Sequence, residues 1–273
     1  MSDITLSAGV RQNLLALQNT ADLFAQTSNR LATGKKVNSA LDNPQSFFTA
    51  QGLEGRASDL SNLLDSMSNA VQTVQAASDG ITSIQKLVDS AKALANQALA
   101  ASATDTTTRS DLATQFGTLL TQIDQLAGDA GFNGTNLLKG DTLKVTFNAD
   151  GSASLSITGV TDTTAGALNI HAAANSWATN NDVNTAVTDL GKATDTLRSQ
   201  ATSFGSNLSI VQTRQDFSKN IINTLQVGAD NLTLADTNLE GANLTALQTR
   251  QQISTIALSL SNQANQQVLR LFQ

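Results

Sequence analysis

The sequence has no cysteine and no tyrosine, a single histidine (His171), a single tryptophan (Trp177) and a single proline (Pro44). Without cysteine there is no disulfide framework, no thiolate nucleophile and no zinc site of the cysteine type. One histidine cannot build a histidine metal cluster, and the phenol is missing as a general acid. Glu54 and Glu240 are the only glutamates, so nearly all of the 22 acidic residues are aspartates scattered along the chain. These absences exclude most side-chain constellations on which enzymes rely. The near absence of proline removes the strongest helix breaker. Charged residues make up 14% of the chain, against roughly 25% in an average soluble domain. The polar surface must therefore be built from Ser, Thr, Asn and Gln.

What is present is a chain of 273 residues, 40% of them hydrophobic, enough for a substantial core. The formal net charge of -6 and a pI near 4.6 argue against nucleic acid as a partner, because phosphate binding needs clustered cations and Lys35-Lys36 is the one basic pair. No apolar run reaches the roughly 18 residues of a membrane span, so no membrane partner is expected. The beginning, Met1-Ser2-Asp3, lacks the basic and apolar regions of a cleaved secretory signal. That pattern suits a cytoplasmic protein or one exported by a route that does not read such a signal.

Helical periodicity dominates. Val10, Leu14, Leu17, Ala21, Phe24, Ser28 and Leu31 form a heptad seam that ends at Gly34, and Pro44 is read as fixing a turn in the following VNSALDNP. A longer helix is expected from about Arg56. Its seam of Leu60, Leu64, Met67, Val71 and Val74 takes a three-residue step, a stammer, and resumes at Ala77, Ile81, Ile84, Val88, Ala91, Ala95 and Ala98. About 45 residues at 1.5 Å each make a rod of roughly 65–70 Å, which needs a companion of similar length. A third helix spans Arg109 to about Ala127, with Leu112, Phe116, Leu119, Ile123 and Leu126 on one face. The heptad returns from Asp182 through Leu190, Leu197, Phe204, Val211 and Ile222, breaks around Gly228 to Asp236, and a last helix carries Leu239, Ala246, Ile253, Ile256, Leu260, Ala264, Val268 and Leu271.

Between the long helices the period changes. GDAGFNGTNLLKG is loop chemistry, after which Leu143, Val145 and Phe147, then Leu155 and Ile157, alternate with polar residues about Asp150-Gly151. This predicts a β-hairpin with an Asp-Gly turn, and a further short strand over Ala167 to His171. The expected fold is mostly α. It is a long antiparallel coiled-coil bundle, with a small β-hairpin region in the middle of the chain and the terminal helices paired at the other end. The terminal helices each show one apolar stripe, which is too little burial for a stable isolated pair and favours ordering against further copies.

No cofactor or metal site emerges. His171 has no co-ligands and reads as an ordinary packing or surface histidine. Thr146 to Ile157 lacks the closing glutamate of a calcium loop. Gly128, Gly131 and Gly134 lack the strand and the Lys-Ser/Thr of a phosphate cradle. The hydroxyls around the hairpin, Ser152, Ser154, Thr161 and Thr163 among them, fit either plain polar alternation or exposed acceptors for O-glycosylation.

Arg30 to Pro44 (RLATGKKVNSALDNP) and Thr245 to Gln273 (TALQTRQQISTIALSLSNQANQQVLRLFQ) closely resemble bacterial flagellin. DGITSIQKLVDSAKALANQAL from Asp79, FNGTNLL from Phe132 and TLADTNLEGANL from Thr233 resemble its long helix, the loop closing its N-terminal half and the link to its last helix. The details are most similar to the short flagellins of alphaproteobacteria. The resemblance covers the chain except roughly 141–180. It implies a filament subunit in which 1–44 with 229–273 form a terminal coiled-coil core, 45–140 with 181–228 form an outer tube of long helices, and 141–180 caps that layer in place of a large surface domain.

On that reading Leu14, Leu17, Phe24 and Leu31, with Ile253, Ile256, Leu260, Val268 and Leu271, are the polymerisation seams. The implied partners are further copies and sister flagellins, together with an export chaperone, cap and junction proteins. The implied location is the extracellular filament, reached by flagellar type III export. Flagellins sensed by the animal innate receptor carry arginine followed by glutamate in the long helix. Lys92 and Ala93 stand at those positions, which implies weak recognition. A hook-filament junction protein shares the terminal helices and is the nearest alternative. A cytoplasmic coiled-coil module would call for charged flanking positions that this chain mostly lacks.

Overall fold

In the computed structural model, the backbone is described for residues 8–161 and 163–271, with side chains throughout except at 265 and 268–271. The described residues form five α-helices: α1 (Ala8–Thr33), α2 (Pro44–Ala100), α3 (Thr106–Asp129), α4 (Asn180–Thr233) and α5 (Thr237–Leu271). Strands β1 (Thr142–Thr146) and β2 (Ser154–Thr158) lie between α3 and α4. The mostly α architecture with a small central hairpin is the expected one.

Pro44 is where the helix α2 starts, twelve positions earlier than the periodicity suggests. Its missing N–H is no loss in a first turn, and Asn43 precedes it as the cap, its Oδ1 accepting the Ser46 N–H at 3.0 Å. The break expected around Gly228 to Asp236 is shorter than that, because α4 runs on through Gly228 to Thr233 and only Leu234 to Asp236 separate it from α5. An isolated helical glycine costs about 1 kcal/mol, which long flanking turns outweigh. The strand expected over Ala167 to His171 is a series of turns, with the Leu168 N–H bonded to Thr164 O and the Ile170 N–H to Ala165 O. Leu168 and Ile170 are both buried, so alternation arose there without a strand.

The chain divides into two compact units, Met1–Gly55 with Thr224–Gln273, and Arg56–Asn223. In the first, α1 and α5 pack antiparallel. Gly34, at φ +68°, ends α1, and Lys36 and Val37 then donate to Thr233 O. Asp236 caps α5, its Oδ1 accepting the N–H groups of Asn238 and Leu239 at 3.0 and 3.1 Å.

In the second unit α2, α3, α4 and the hairpin share one core. The buried seam of α2 runs Met67, Ala70, Val74, Ala77, Ile81, Ile84, Val88, Ala91, Ala95 and Ala98, alternating steps of three and four without interruption. The stammer is therefore not at Val74. Ala70 takes the seam position expected of Val71, and the change of phase lies upstream, where Leu63 and Leu64 are both half-buried. The hairpin pairs Leu143 with Ile157 and Val145 with Leu155 on its inner face, leaving hydroxyls and Lys144 outside. Its turn is Asn148 to Gly151, closed by the Gly151 N–H on Asn148 O, inside a longer connection in which Phe147 N–H bonds Ala153 O.

Asn136, within the Phe132 to Leu138 motif, stitches the end of α3 to the loop. Its Nδ2 donates to Ala127 O and Gly128 O, both at 2.9 Å, while its Oδ1 accepts the Leu138 N–H. At the opposite end of α3, Arg109 is wholly buried. Its guanidinium donates to Trp177 O, Ala178 O, Ala101 O and Asn180 Oδ1. Among the described residues no carboxylate is paired with it, but Ala101 O closes the C-terminal end of α2, where unsatisfied carbonyls concentrate negative potential. Trp177 covers the site, its ring centroid 4.9 Å from that of Phe116.

Many hydroxyls are spent on their own helix. Thr114, Thr118 and Thr121 of α3, Thr185, Thr188, Thr202 and Thr213 of α4, and Thr245 and Thr249 of α5 each donate to the carbonyl four residues back.

Candidate functional site

The surface with most to explain lies on α1 and α5. Helix α1 turns Val10, Thr20 and Thr27 inward with half-buried Leu17 and Phe24, so only part of the expected seam meets α5. Leu14 and Leu31 remain partly exposed, and Leu15 and Leu23 more so. Helix α5 is more lopsided. Toward α1 it offers Leu244, Leu247, Gln251, Ser254 and Leu258, all half-buried. Its apolar stripe points elsewhere: Ile253, Ile256 and Leu260 are 61%, 66% and 66% exposed. The side chains of Val268 and Leu271 lie outside the described residues.

An ion pair holds the two helices together, Arg30 Nη1 to Glu240 Oε1 at 3.3 Å, with Glu240 almost covered. It lies between two hollows of about 630 and 300 Å³ that both count it in their walls. The bend into α2 is braced by Asp42, whose Oδ2 accepts the N–H groups of Asn38 and Ser39 at 2.9 Å. Those two backbone donors, with the Ser39 hydroxyl, hold the Asp42 carboxyl below the usual carboxylate range.

The other candidate residues are dispersed. Lys92 and Ala93 are exposed on α2. Ser152, Ser154 and Thr161 are exposed, but Thr163 is not: it is fully buried and its hydroxyl donates to Leu138 O at 2.8 Å, so it is no surface acceptor. His171 Nδ1 stands 2.7 Å from Asp189 Oδ2. Among the described residues, no group of three His, Cys, Asp or Glu could hold a metal ion, and no helix is long and apolar enough to cross a membrane. The sequence names Arg109 only as a helix start, since a lone arginine there carries no signature of burial.

A mostly helical chain whose last helix keeps an apolar stripe uncovered is the build of an assembly subunit. Residues 7–142 match the family model of the bacterial flagellin N-terminal helical region, and residues 179–272 that of the bacterial flagellin C-terminal helical region. Flagellin FljM of Caulobacter vibrioides is 32% identical, covering 100% of this chain and 99% of its own. Flagellin FljK of the same organism is 33% identical with the same coverage, and the flagellin of Brucella melitensis is 26% identical over 100% of both chains. The chain belongs to the bacterial flagellin family and is of the alphaproteobacterial type.

Proposed function

We infer that this chain is the structural subunit of a flagellar filament and that its work is mechanical, with no catalysis. The observation that carries this reading is the α5 stripe of Ile253, Ile256 and Leu260. Three large aliphatic side chains on one helix face stay mostly in water, on the side of α5 away from its half-buried row. Covering each is worth about 1.5–3 kcal/mol, and repeated copies supply the cover. On this reading 1–44 with 229–273 form the filament core, 45–140 with 181–228 the surrounding tube, and 141–180 its cap. Sister flagellins, an export chaperone, and cap and junction proteins are its partners, and it acts outside the cell.

Leu260→Asp places a charge on the stripe without touching the core of Arg56–Asn223. The expected outcome is a chain with near-normal helical circular dichroism that forms no filaments under the electron microscope, and Leu17→Asp should behave alike. Filaments of ordinary length from Leu260→Asp at ordinary protein concentration would overturn the assignment.

The exposed pair Lys92 and Ala93 makes the chain a poor agonist of the animal flagellin receptor. The ammonium is a point donor where a planar guanidinium is read, and the carboxylate is missing. Installing Lys92→Arg with Ala93→Glu should raise the response of a receptor-reporter cell line about tenfold or more. A full response to the unsubstituted monomer at low concentration would refute the reading.

A further inference from the structure

Two surface features lie apart from the uncovered stripes of α1 and α5. One is a hollow of about 230 Å³ in the unit Arg56–Asn223, with Leu60, Phe147 and Ile221 in its walls beside Arg56, Arg214 and Phe217. Leu60 and Phe147 are nearly covered, Ile221 is half-buried, and the ring of Phe217 is left 56% exposed. The Arg214 guanidinium stands 5.3 Å from the Phe147 ring centroid and makes no ion pair among the described residues. An apolar floor beside two guanidinium groups suits an aliphatic side chain that carries a carboxylate next to it.

The other feature is such a group. Leu41 is 96% exposed, the most exposed of the chain's large described hydrophobic residues. It is held out by a braced loop: Asp42 Oδ2 accepts from Asn38 N, Ser39 N and Ser39 Oγ, and Asp42 N donates to Ser39 O. All three bonds accepted by Asp42 fall on Oδ2. A side chain presented by a loop already ordered loses little freedom on docking.

We propose that Leu41 of one copy seats in this hollow on a second copy, with Asp42 set against Arg214 and Arg56. The proposal rests on the filament reading and names one of its contacts. Knob and hollow are different patches of one chain, so the contact is heterologous and does not close on itself, which is what an open polymer requires. The opposite charges fix which way the loop enters.

The absence of native cysteine gives a clean background for the test. Leu41→Cys and Phe217→Cys chains are prepared separately, mixed, seeded with sheared filament fragments and oxidised. The expected result is a disulfide-linked dimer containing one chain of each kind, formed in filaments and not in dilute monomer. Normal filaments with no mixed dimer overturn the proposal and leave the filament reading standing. A dimer formed equally by Phe217→Cys alone also overturns it, because the hollow would then face its own counterpart. Failure of the unsubstituted chain to assemble removes both readings.

Should a cysteine chain not assemble, Leu41→Ala and Arg214→Ala are titrated instead. Each should raise the critical concentration about tenfold, and the pair together by less than the product of the two. No change in Leu41→Ala, or full multiplication, overturns the proposal.

Discussion

Removing the Arg109 guanidinium would strip a donor from Trp177 O, in a buried bond, and from Ala101 O and the Asn180 side chain, in part-buried ones. Each buried acceptor left alone costs about 1–3 kcal/mol. Arg109→Met should therefore lower the stability of the monomer by about 1–3 kcal/mol, read as a fall in the urea midpoint. Arg109→Lys should recover less than half of that loss. One ammonium cannot reach carbonyls contributed by the end of α2 and by the segment before α4 at once. Full recovery with lysine would mean that charge alone matters and the fork does not. Nothing in the neighbourhood of Arg109 along the chain announces this role, because its partners are backbone atoms at 101, 177 and 178 and a side chain at 180, brought together only by the fold.

The elements can be tested by adding a methyl group where space differs. A Cβ at Gly80 of α2 would lie 2.6 Å from Ala130 Cβ and 2.8 Å from Leu138 Cδ1, whereas one at Gly117 of α3 would meet nothing within 4 Å. Alanine gains about 1 kcal/mol over glycine in a helix, and overpacking costs about 1–3 kcal/mol. Gly117→Ala should raise the thermal midpoint slightly and Gly80→Ala should lower it. A rise with Gly80→Ala would show that α2 and the loop after α3 are less closely apposed than described.

The same closeness explains which parts of the elements were legible in the sequence. The helices and the hairpin announce themselves by period, since each buries one face. At two places the inward residue is small or polar and lies one position from the expected seam residue: Ala70 beside Val71 and Thr20 beside Ala21. Large side chains mark a seam when helices stand apart, and small ones occupy it when they approach. Two helix ends depart from the expected positions for a related reason. Pro44 and Gly228 are breakers only in a chain that has no better continuation, and here a cap at Asn43 and long flanking turns supply one. Of the assembly surface, Ile253, Ile256 and Leu260 were readable as an apolar stripe. That they face away from α1, while Gln251 and Ser254 face it, depends on how two helices pair and on nothing in either alone.

For the whole molecule the two units should differ in how firmly they hold their backbone hydrogen bonds. The unit Arg56–Asn223 closes around a continuous core, while α1 and α5 leave much of their aliphatic surface uncovered. Local opening is easiest where few apolar contacts are lost. In monomeric protein the amides of α1 and α5 should exchange with deuterium at least about a hundredfold faster than those around Ile81 to Ala98, and in assembled protein the difference should shrink. Equal protection in the monomer would mean that the terminal helices need no neighbours.

The threonines that bond back to their own helices bear on what a neighbour meets. A hydroxyl already satisfied by the carbonyl four residues earlier keeps that bond when another chain covers it, so closing over it strands no donor. It also asks for no matching acceptor opposite. A wall dressed this way is close to indifferent to small axial slips of whatever lies against it, and so lends itself to sliding where a lattice of interlocked polar pairs would catch.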